Sequence, residues 1–206
     1  MFFEFLKKIA YKTKLIFIYH YILSFIAVVW YRFPGRKMII IGVTGTNGKS
    51  TTVAMIAHML ERCGYIVGQT STVQFQIGEK KWLNNQKMTM VGRFQLQKFL
   101  YKMQKAKCTH VVIETSSEGL RQFRHIGISY DIGVFTNLTP EHIESHGSFT
   151  AYRKAKRILF ETVSKRRLKH IFDPKKNIWT VVPRVIVANA DSEYSQYYSG
   201  YPTDMT

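Results

Sequence analysis

The stretch covering residues 38–64 constrains this chain of 206 residues more than any other. An apolar run over 38–43 leads into Gly45-Thr46-Asn47-Gly48-Lys49-Ser50-Thr51-Thr52, and a helical pattern follows. A buried strand that delivers the backbone to a glycine-rich turn at a helix N-terminus aims unpaired N–H groups and the positive end of the helix dipole at one point, which suits phosphate. Gly45 and Gly48 let the backbone curl close to phosphate, and Lys49 supplies a flexible point charge for the terminal phosphates. The Ser50 hydroxyl suits a magnesium ion bridging them. The helix is legible without the loop, because Val53, Ile56, Ala57 and Leu60 share one face and Gly64 stands where a C-terminal cap belongs. The common phosphate loop has a glycine five residues before the one preceding its lysine. Val43 holds that position here, with glycines at 42 and 45, so a generic phosphate-loop label is too coarse.

Downstream, residues 65–67 read as a short strand, and 73–77 with 81–83 as a hairpin around Gly78-Glu79. Residues 84–92 form a polar loop, followed by a helix on which Leu96, Phe99, Leu100 and Met103 keep helical spacing. Strands are expected over 110–114, 131–136 and 184–188, the first with a Val111-Val112-Ile113 core buried on both faces. Strands alternating with helices predict an α/β fold, a mostly parallel sheet flanked by helices. Ligands of such sheets bind at the carboxyl ends of strands, where Gly45, Glu114 and Thr136 would gather. A carboxylate there is a natural magnesium ligand, and a histidine such as His142 is a ligand or proton carrier when it is not structural.

A third helix begins near Tyr152. Ala155, Leu159 and Val163 form one stripe with Lys156 on it, while Arg153, Lys154 and Arg157 point away. A lysine on a core-facing stripe is costly unless paired, neutralised or chemically altered, or unless it snorkels from the stripe's edge.

Thirty basic against thirteen acidic residues give a net charge of +17, which attracts polyanions: nucleic acid, anionic lipid or phosphorylated metabolites. Part of the excess lies over 165–176, either a solvated basic surface or an anion site, and part over 7–14. No RNA- or DNA-binding module is recognisable, so nucleic acid is not the expected partner. Cys63 and Cys108 have no metal-ligand spacing, and a reducing, cytoplasmic setting fits. Residues 15–31 are almost continuously apolar, near the short end of what spans a bilayer, with lysines before them and Arg32, Arg36 and Lys37 after. No small-residue cleavage site follows. Two readings of this segment stay open, a peripheral or packed hydrophobic helix and a membrane anchor at the inner face of the cell membrane.

GVTGTNGKSTT, IETSSEGLRQFR, FTNLTPEHIESHG and YRKAKRILF occur in this order and resemble the central ATPase domain of the Mur ligases, the ATP-dependent amide-bond-forming enzymes of peptidoglycan synthesis. The resemblance is to the MurE type, which extends the stem peptide of UDP-N-acetylmuramoyl-dipeptide, and it covers approximately residues 38–194. Folylpolyglutamate synthases are less similar, since their loops usually carry glycine where this chain has Ser50. The resemblance implies that Gly45, Thr46, Asn47, Gly48, Lys49, Ser50 and Thr51 hold ATP, with Lys49 on the phosphates. It implies magnesium at Ser50 and Glu114, and a second magnesium at His142. Lys156 matches the family lysine that carbon dioxide carbamylates into a metal-binding anion, so Lys49, His142 and Lys156 are the catalytic set. Thr89, Ser116, Gln122 and Arg124 match positions contacting the UDP-sugar peptide, while Glu118 departs from the family's usual histidine.

The implied partners are a UDP-N-acetylmuramoyl peptide or a similar carboxylate acceptor, and an incoming amino acid. The family follows a three-domain plan. Residues 1–37 are expected to be an apolar and basic helical segment and 38–206 the central ATP-binding domain, with neither the family's N-terminal domain nor its amino-acid-binding domain. The expectation is therefore a fragment, a truncated reading frame or one part of a split enzyme. A membrane-associated nucleotide-binding module, or an inactive fragment lacking ligase activity, is the alternative.

Overall fold

The computed structural model describes residues 15–86, 88–140, 146–173 and 177–205. His142 and the basic stretch over 7–14 lie outside the described residues.

β1 (Ile39–Thr44) enters the phosphate loop and α2 (Lys49–Arg62) leaves it, after an N-terminal helix α1 (Leu15–Trp30) and a 3-10 turn (Pro34–Lys37). β2 (Val67–Thr70) continues into a hairpin of β3 (Gln74–Ile77) and β4 (Lys80–Leu83). Then come α3 (Arg93–Lys105), β5 (His110–Glu114), a short α4 (Ser117–Arg121), β6 (Ile132–Phe135) and α5 (Phe149–Lys165). A separate hairpin, β7 (Lys169–Asp173) and β8 (Ile178–Val182), precedes β9 (Val185–Ala188) and α6 (Ser195–Ser199).

The seven-stranded sheet has the order β4–β3–β2–β5–β1–β6–β9, parallel from β2 to β9, with the β3–β4 hairpin antiparallel at its edge. This is the α/β architecture expected. The central strand alternates as a doubly covered strand must: Ile40 joins the larger core cluster with Leu96, Leu100, Leu159 and Phe160 of α3 and α5, while Ile41 and Val43 pack with Val53 and Ala57 of α2. A Cβ on Gly42 would lie 2.7 Å from both Leu159 and Tyr130, so the glycine lets α5 approach the middle of β1. Register then sets the site, because Val43 lies opposite Glu114 on one side and Thr44 opposite Phe135 on the other. Loop, carboxylate and Thr136 consequently emerge level at the carboxyl end.

Two expectations are corrected and one element was not foreseen. The second strand runs over Val67–Thr70, not 65–67: Gly64 is left-handed (φ 76), and the Tyr65 N–H returns to Leu60 O to close α2, so the chain enters the sheet two residues later. The five-residue α4 is too short to show a period in sequence, yet the Ser116 side chain caps it by accepting from the Gly119 N–H at 3.1 Å. The basic cluster over 165–176 is only partly a solvated surface, because Arg166 and Lys169 are buried. Lys169 Nζ donates to Asp131 Oδ2 at 2.6 Å and to the carbonyls of Gly35, Met38 and Ser129 at 2.7–3.0 Å. Arg166 Nε stands 3.0 Å from Asp131 Oδ1, an ion pair without hydrogen-bond alignment. Burial pushes the Asp131 carboxyl up and the Lys169 ammonium down to about 8, against the attraction between them. The cluster fastens the β7–β8 hairpin to the amino end of the sheet.

α1 lies against α3. Its buried stripe is Ser24, Ala27 and Val28, and a Cβ on Gly127 would stand 2.3 Å from Val28. His20 Nδ1 accepts from Arg93 at 2.5 Å, and Phe17 and Tyr21 meet the ring of Phe123 edge-on. Of the two readings of residues 15–31, these contacts are those of a packed helix. No helix among the described residues is long and apolar enough to cross a membrane.

Candidate functional site

The phosphate loop is held by the neighbouring strand's end. Gly48 adopts a left-handed conformation (φ 77), and a Cβ added to it would meet nothing within 4 Å, so it is needed for its backbone rather than for space. Gly45 is the opposite case: a Cβ there would lie 1.9 Å from Thr136 Oγ1. Immediately after β6, Asn137 O accepts from the Thr46 N–H (2.9 Å) and Asn137 Oδ1 from the Asn47 N–H (2.8 Å). The Thr136 hydroxyl donates to Asn47 O at 2.8 Å. Thr46 Oγ1 accepts from the Thr139 N–H at 2.9 Å and lies 3.2 Å from the Tyr152 hydroxyl of α5. The loop is thus preorganised, and its tip at Asn47 and Gly48 is exposed.

Two lysines donate to carbonyls of this loop. Lys49 Nζ folds back to donate to Thr46 O at 2.6 Å, which keeps its ammonium beside the loop. Lys156 is 2% exposed, as its place on the α5 stripe requires, so it does not snorkel. Its Nζ donates to Gly45 O at 2.7 Å and lies 4.3 Å from the Tyr152 ring centroid.

Glu114, 2% exposed at the end of β5, faces the first turn of α2. Its Oε2 accepts from the Ser50 hydroxyl (2.8 Å) and the Thr72 N–H (2.7 Å), and Thr72 Oγ1 lies 3.1 Å from Oε1. Hydroxyl and carboxylate oxygens are hard donors that fit magnesium rather than a thiophilic metal. The described residues contain no group of three His, Cys, Asp or Glu able to cage an ion. The fit is therefore to magnesium carried on phosphate oxygens and water, with the protein supplying one or two ligands.

Beyond Glu114 lies a second polar group. Thr72 Oγ1 also stands 3.0 Å from Thr89 Oγ1, which ties Thr89 to the carboxylate. Arg124 donates to Gln122 Oε1 at 2.6 Å and to the Met90 carbonyl, and Gln122 Nε2 donates to Glu118 Oε1 at 2.6 Å. Glu118, the departure noted in the sequence, thereby orients Gln122. Ser116 sits between the two groups with its hydroxyl capping α4.

The structure brings Gly45 to Thr51, Glu114 and Lys156 to one centre, with Thr89, Ser116, Gln122 and Arg124 on its flank; His142 lies outside the described residues. Sequence reasoning did not single out Thr72, Asn137 or Tyr152. Tyr152 carried a signal, one turn before Lys156 on the same stripe, and Asn137 lies inside the FTNLTPEHIESHG segment. Thr72 carried none. His146 is a further addition, buried with its Nε2 3.1 Å from Ser117 Oγ and its ring 5.1 Å from that of Tyr152.

With this geometry in hand, comparison with known proteins is specific. The family model of the Mur ligase middle domain matches residues 43–201. A UDP-N-acetylmuramyl-tripeptide synthetase of Roseiflexus sp. (strain RS-1) is 42% identical over 141 residues, covering 68% of this chain and 28% of that protein. A UDP-N-acetylmuramoyl-L-alanyl-D-glutamate–2,6-diaminopimelate ligase of Geobacillus thermodenitrificans (strain NG80-2) is 34% identical over 178 residues, covering 85% of this chain and 33% of that one. A solved structure of a ligase of the latter name superposes with a TM-score of 0.62 at 30% identity, over 79% of this chain and 28% of that chain. The chain thus spans no more than about a third of the curated relatives cited.

Proposed function

The chain belongs to the Mur ligase family through its middle domain, and on that footing we propose that it is the ATP-binding part of a MurE-type acid–amino acid ligase of peptidoglycan synthesis. The observation that carries this reading is the Ser50–Glu114 hydrogen bond of 2.8 Å at the N-terminus of α2, directly behind Lys49. It joins a phosphate cradle to a hard-cation site. ATP lies with its phosphates on the loop from Gly45 to Thr51, and Lys49 turns from Thr46 O to the terminal phosphate. Magnesium, when bound, offsets phosphate charge, and Ser50 and Glu114 are the residues that hold it.

The reaction is carboxylate activation. A carboxylate oxygen of a UDP-N-acetylmuramoyl peptide, or of a similar acceptor, attacks the terminal phosphorus; the bond to the bridging oxygen breaks and ADP leaves. The amine of an amino acid then attacks the acyl phosphate, forming the amide and releasing phosphate and a proton. The protein contributes mainly position and electrostatics. Thr89, Ser116, Gln122 and Arg124 are assigned to the acceptor, supported by their place on the Glu114 flank of the loop. His142 is assigned to a second magnesium on the family pattern alone.

Lys156 is assigned as the carbamylated lysine, which would exchange a buried cation for a metal-binding anion. Its burial supports a chemically altered group, whereas its bond to Gly45 O is that of an amine. Carbon-13 NMR in labelled bicarbonate decides between them: a carbamate resonance absent from Lys156→Arg is expected. The working division is a helical segment over 1–37 and the ATP-binding domain over 38–206. The setting is the cytoplasm, with residues 15–31 as the part that would meet the inner face of the cell membrane.

Titration of the chain with magnesium-ATP tests the core of this reading. Lys49→Ala is expected to weaken binding by about a hundredfold, the worth of a charge-assisted contact to phosphate. Unchanged affinity would remove the proposal. Phosphate release stimulated by a UDP-muramoyl peptide separates a ligase from a nucleotide-binding module, which the exposed apolar face of α1 favours as a second reading.

A further inference from the structure

α1 is apolar on every side, yet only Ser24, Ala27 and Val28 of its residues are buried. Opposite that narrow stripe, Ile18, Tyr19, Ile22, Ile26, Val29 and Trp30 are all 44–74% exposed. Their spacing of three and four residues places them on one continuous face that no part of the described protein covers. A helix of this composition normally lies in a core or against lipid.

Charge decides between these environments. No acidic residue occurs between Glu4 and Glu61. Four lysines (Lys7, Lys8, Lys12 and Lys14) precede α1 in the sequence, and Arg32, Arg36 and Lys37 follow it with exposed side chains. The flank of α1 also forms one wall of an open groove of about 840 Å³, where Tyr21, Phe25 and Val28 share the lining with the exposed Arg36, Lys165 and Arg167. Glu161 is the acidic side chain in that lining, and it is paired with Arg157 at 2.8 Å. Apolar face and cationic groove are therefore contiguous. Another protein surface would need matching acidic residues around an apolar centre, whereas an anionic bilayer offers both at once, hydrocarbon below and phosphate at the surface. Tyr19 and Trp30, toward the two ends of the stripe, suit the interface between them.

We propose that α1 lies flat on an anionic lipid bilayer, with its outer face immersed at the headgroup boundary and the adjoining Arg36–Arg167 groove taking lipid phosphate. The inference deepens the assignment of residues 15–31 to the membrane face and does not depend on the ligase chemistry.

Flotation of the full chain with vesicles is the test, without nucleotide, using phosphatidylcholine alone and phosphatidylcholine mixed with phosphatidylglycerol. The chain is expected to float with the mixed vesicles and much less with the neutral ones. Arg36→Ala with Arg167→Ala lowers partitioning into mixed vesicles by about 25-fold, roughly fivefold per charge. Ile22→Glu with Ile26→Glu abolishes it, and because both positions are exposed these variants retain the parent's melting temperature and magnesium-ATP affinity. Equal flotation with both lipids, flotation unaffected by the glutamates, or no flotation would each overturn the proposal. So would a dimer in sedimentation that the glutamates dissolve without any lipid binding, since a second copy would then cover the face. Magnesium-ATP titration of the same samples keeps a failure of docking distinct from a failure of the phosphate site.

Discussion

Each end of the parallel strands buries a lysine, and the two are held differently. At the amino end, Lys169 is ringed by four oxygens, one of them a carboxylate oxygen of Asp131, which is itself fully buried and paired with Arg166. At the carboxyl end, Lys156 is held by the Gly45 carbonyl and the face of Tyr152. A buried charge neutralised in place, with its donors occupied, fastens elements together: here a hairpin to the root of the sheet. A buried lysine tied to a loop carbonyl instead couples α5 to the loop proposed to hold phosphate. Burial alone, 7% and 2% exposure respectively, does not separate the two roles; the partners do.

Asp131→Ala should break the contrast most severely. It strands two buried cations and deprives the Ile40 N–H of its 2.8 Å acceptor, so urea denaturation should report a loss of about 3–5 kcal/mol. The folded fraction should keep its magnesium-ATP affinity, since nothing at the loop touches Asp131. A variant that loses affinity while remaining folded would mean that the two ends are coupled.

Acid should act next, and again away from the loop. Burial lowers the His125 imidazole to about 4 from 6.5, so below pH 6.5 the unfolded chain binds a proton that the folded chain refuses. The stability that depends on neutral His125 is complete above pH 6.5 and is lost as pH falls toward 4, by up to about 3 kcal/mol. Melting temperatures across that range should flatten in His125→Gln; an unaltered slope would assign the effect to other groups.

The smallest effect sharpens the comparison from the other side. Glu114→Gln keeps a side chain able to accept from Ser50 and Thr72 but removes the charge. Magnesium-ATP affinity should fall about tenfold while metal-free ATP binds as well or better. The urea midpoint should move little. Equal loss with and without magnesium would mean that Glu114 positions the loop rather than the ion.

Legibility in the sequence followed range. The β1–loop–α2 unit could be read because its signals are consecutive: an apolar run, two glycines, a lysine and a hydroxyl at a helix start. The α5 stripe could be read because helical period places Lys156 beside Ala155, Leu159 and Val163 without any knowledge of the rest. The β7–β8 hairpin and the burial of Arg166 and Lys169 could not, because a basic cluster reads as solvated until Asp131, 38 residues from Lys169, is known to lie against it. Thr72 escaped for a similar reason, since an isolated threonine in a polar turn acquires meaning only when β2 pairs with β5 and brings it to Glu114. The second strand shifted by two residues because the capping of α2 consumed Gly64 and Tyr65.

The sequence by itself therefore determined the α/β class, the phosphate cradle and the abnormal place of Lys156. Turn conformation, helix start and helical stripe are local properties, fixed by steric and hydrogen-bonding demands within a few residues. Tertiary structure alone decided that Thr72 joins Ser50 at Glu114, that Arg166 and Lys169 turn inward to Asp131, and which apolar helix face is left uncovered among the described residues. Those outcomes depend on desolvation and pairing between groups tens of residues apart, 64 in the case of Ser50 and Glu114, and only the register of the sheet brings them within 3 Å.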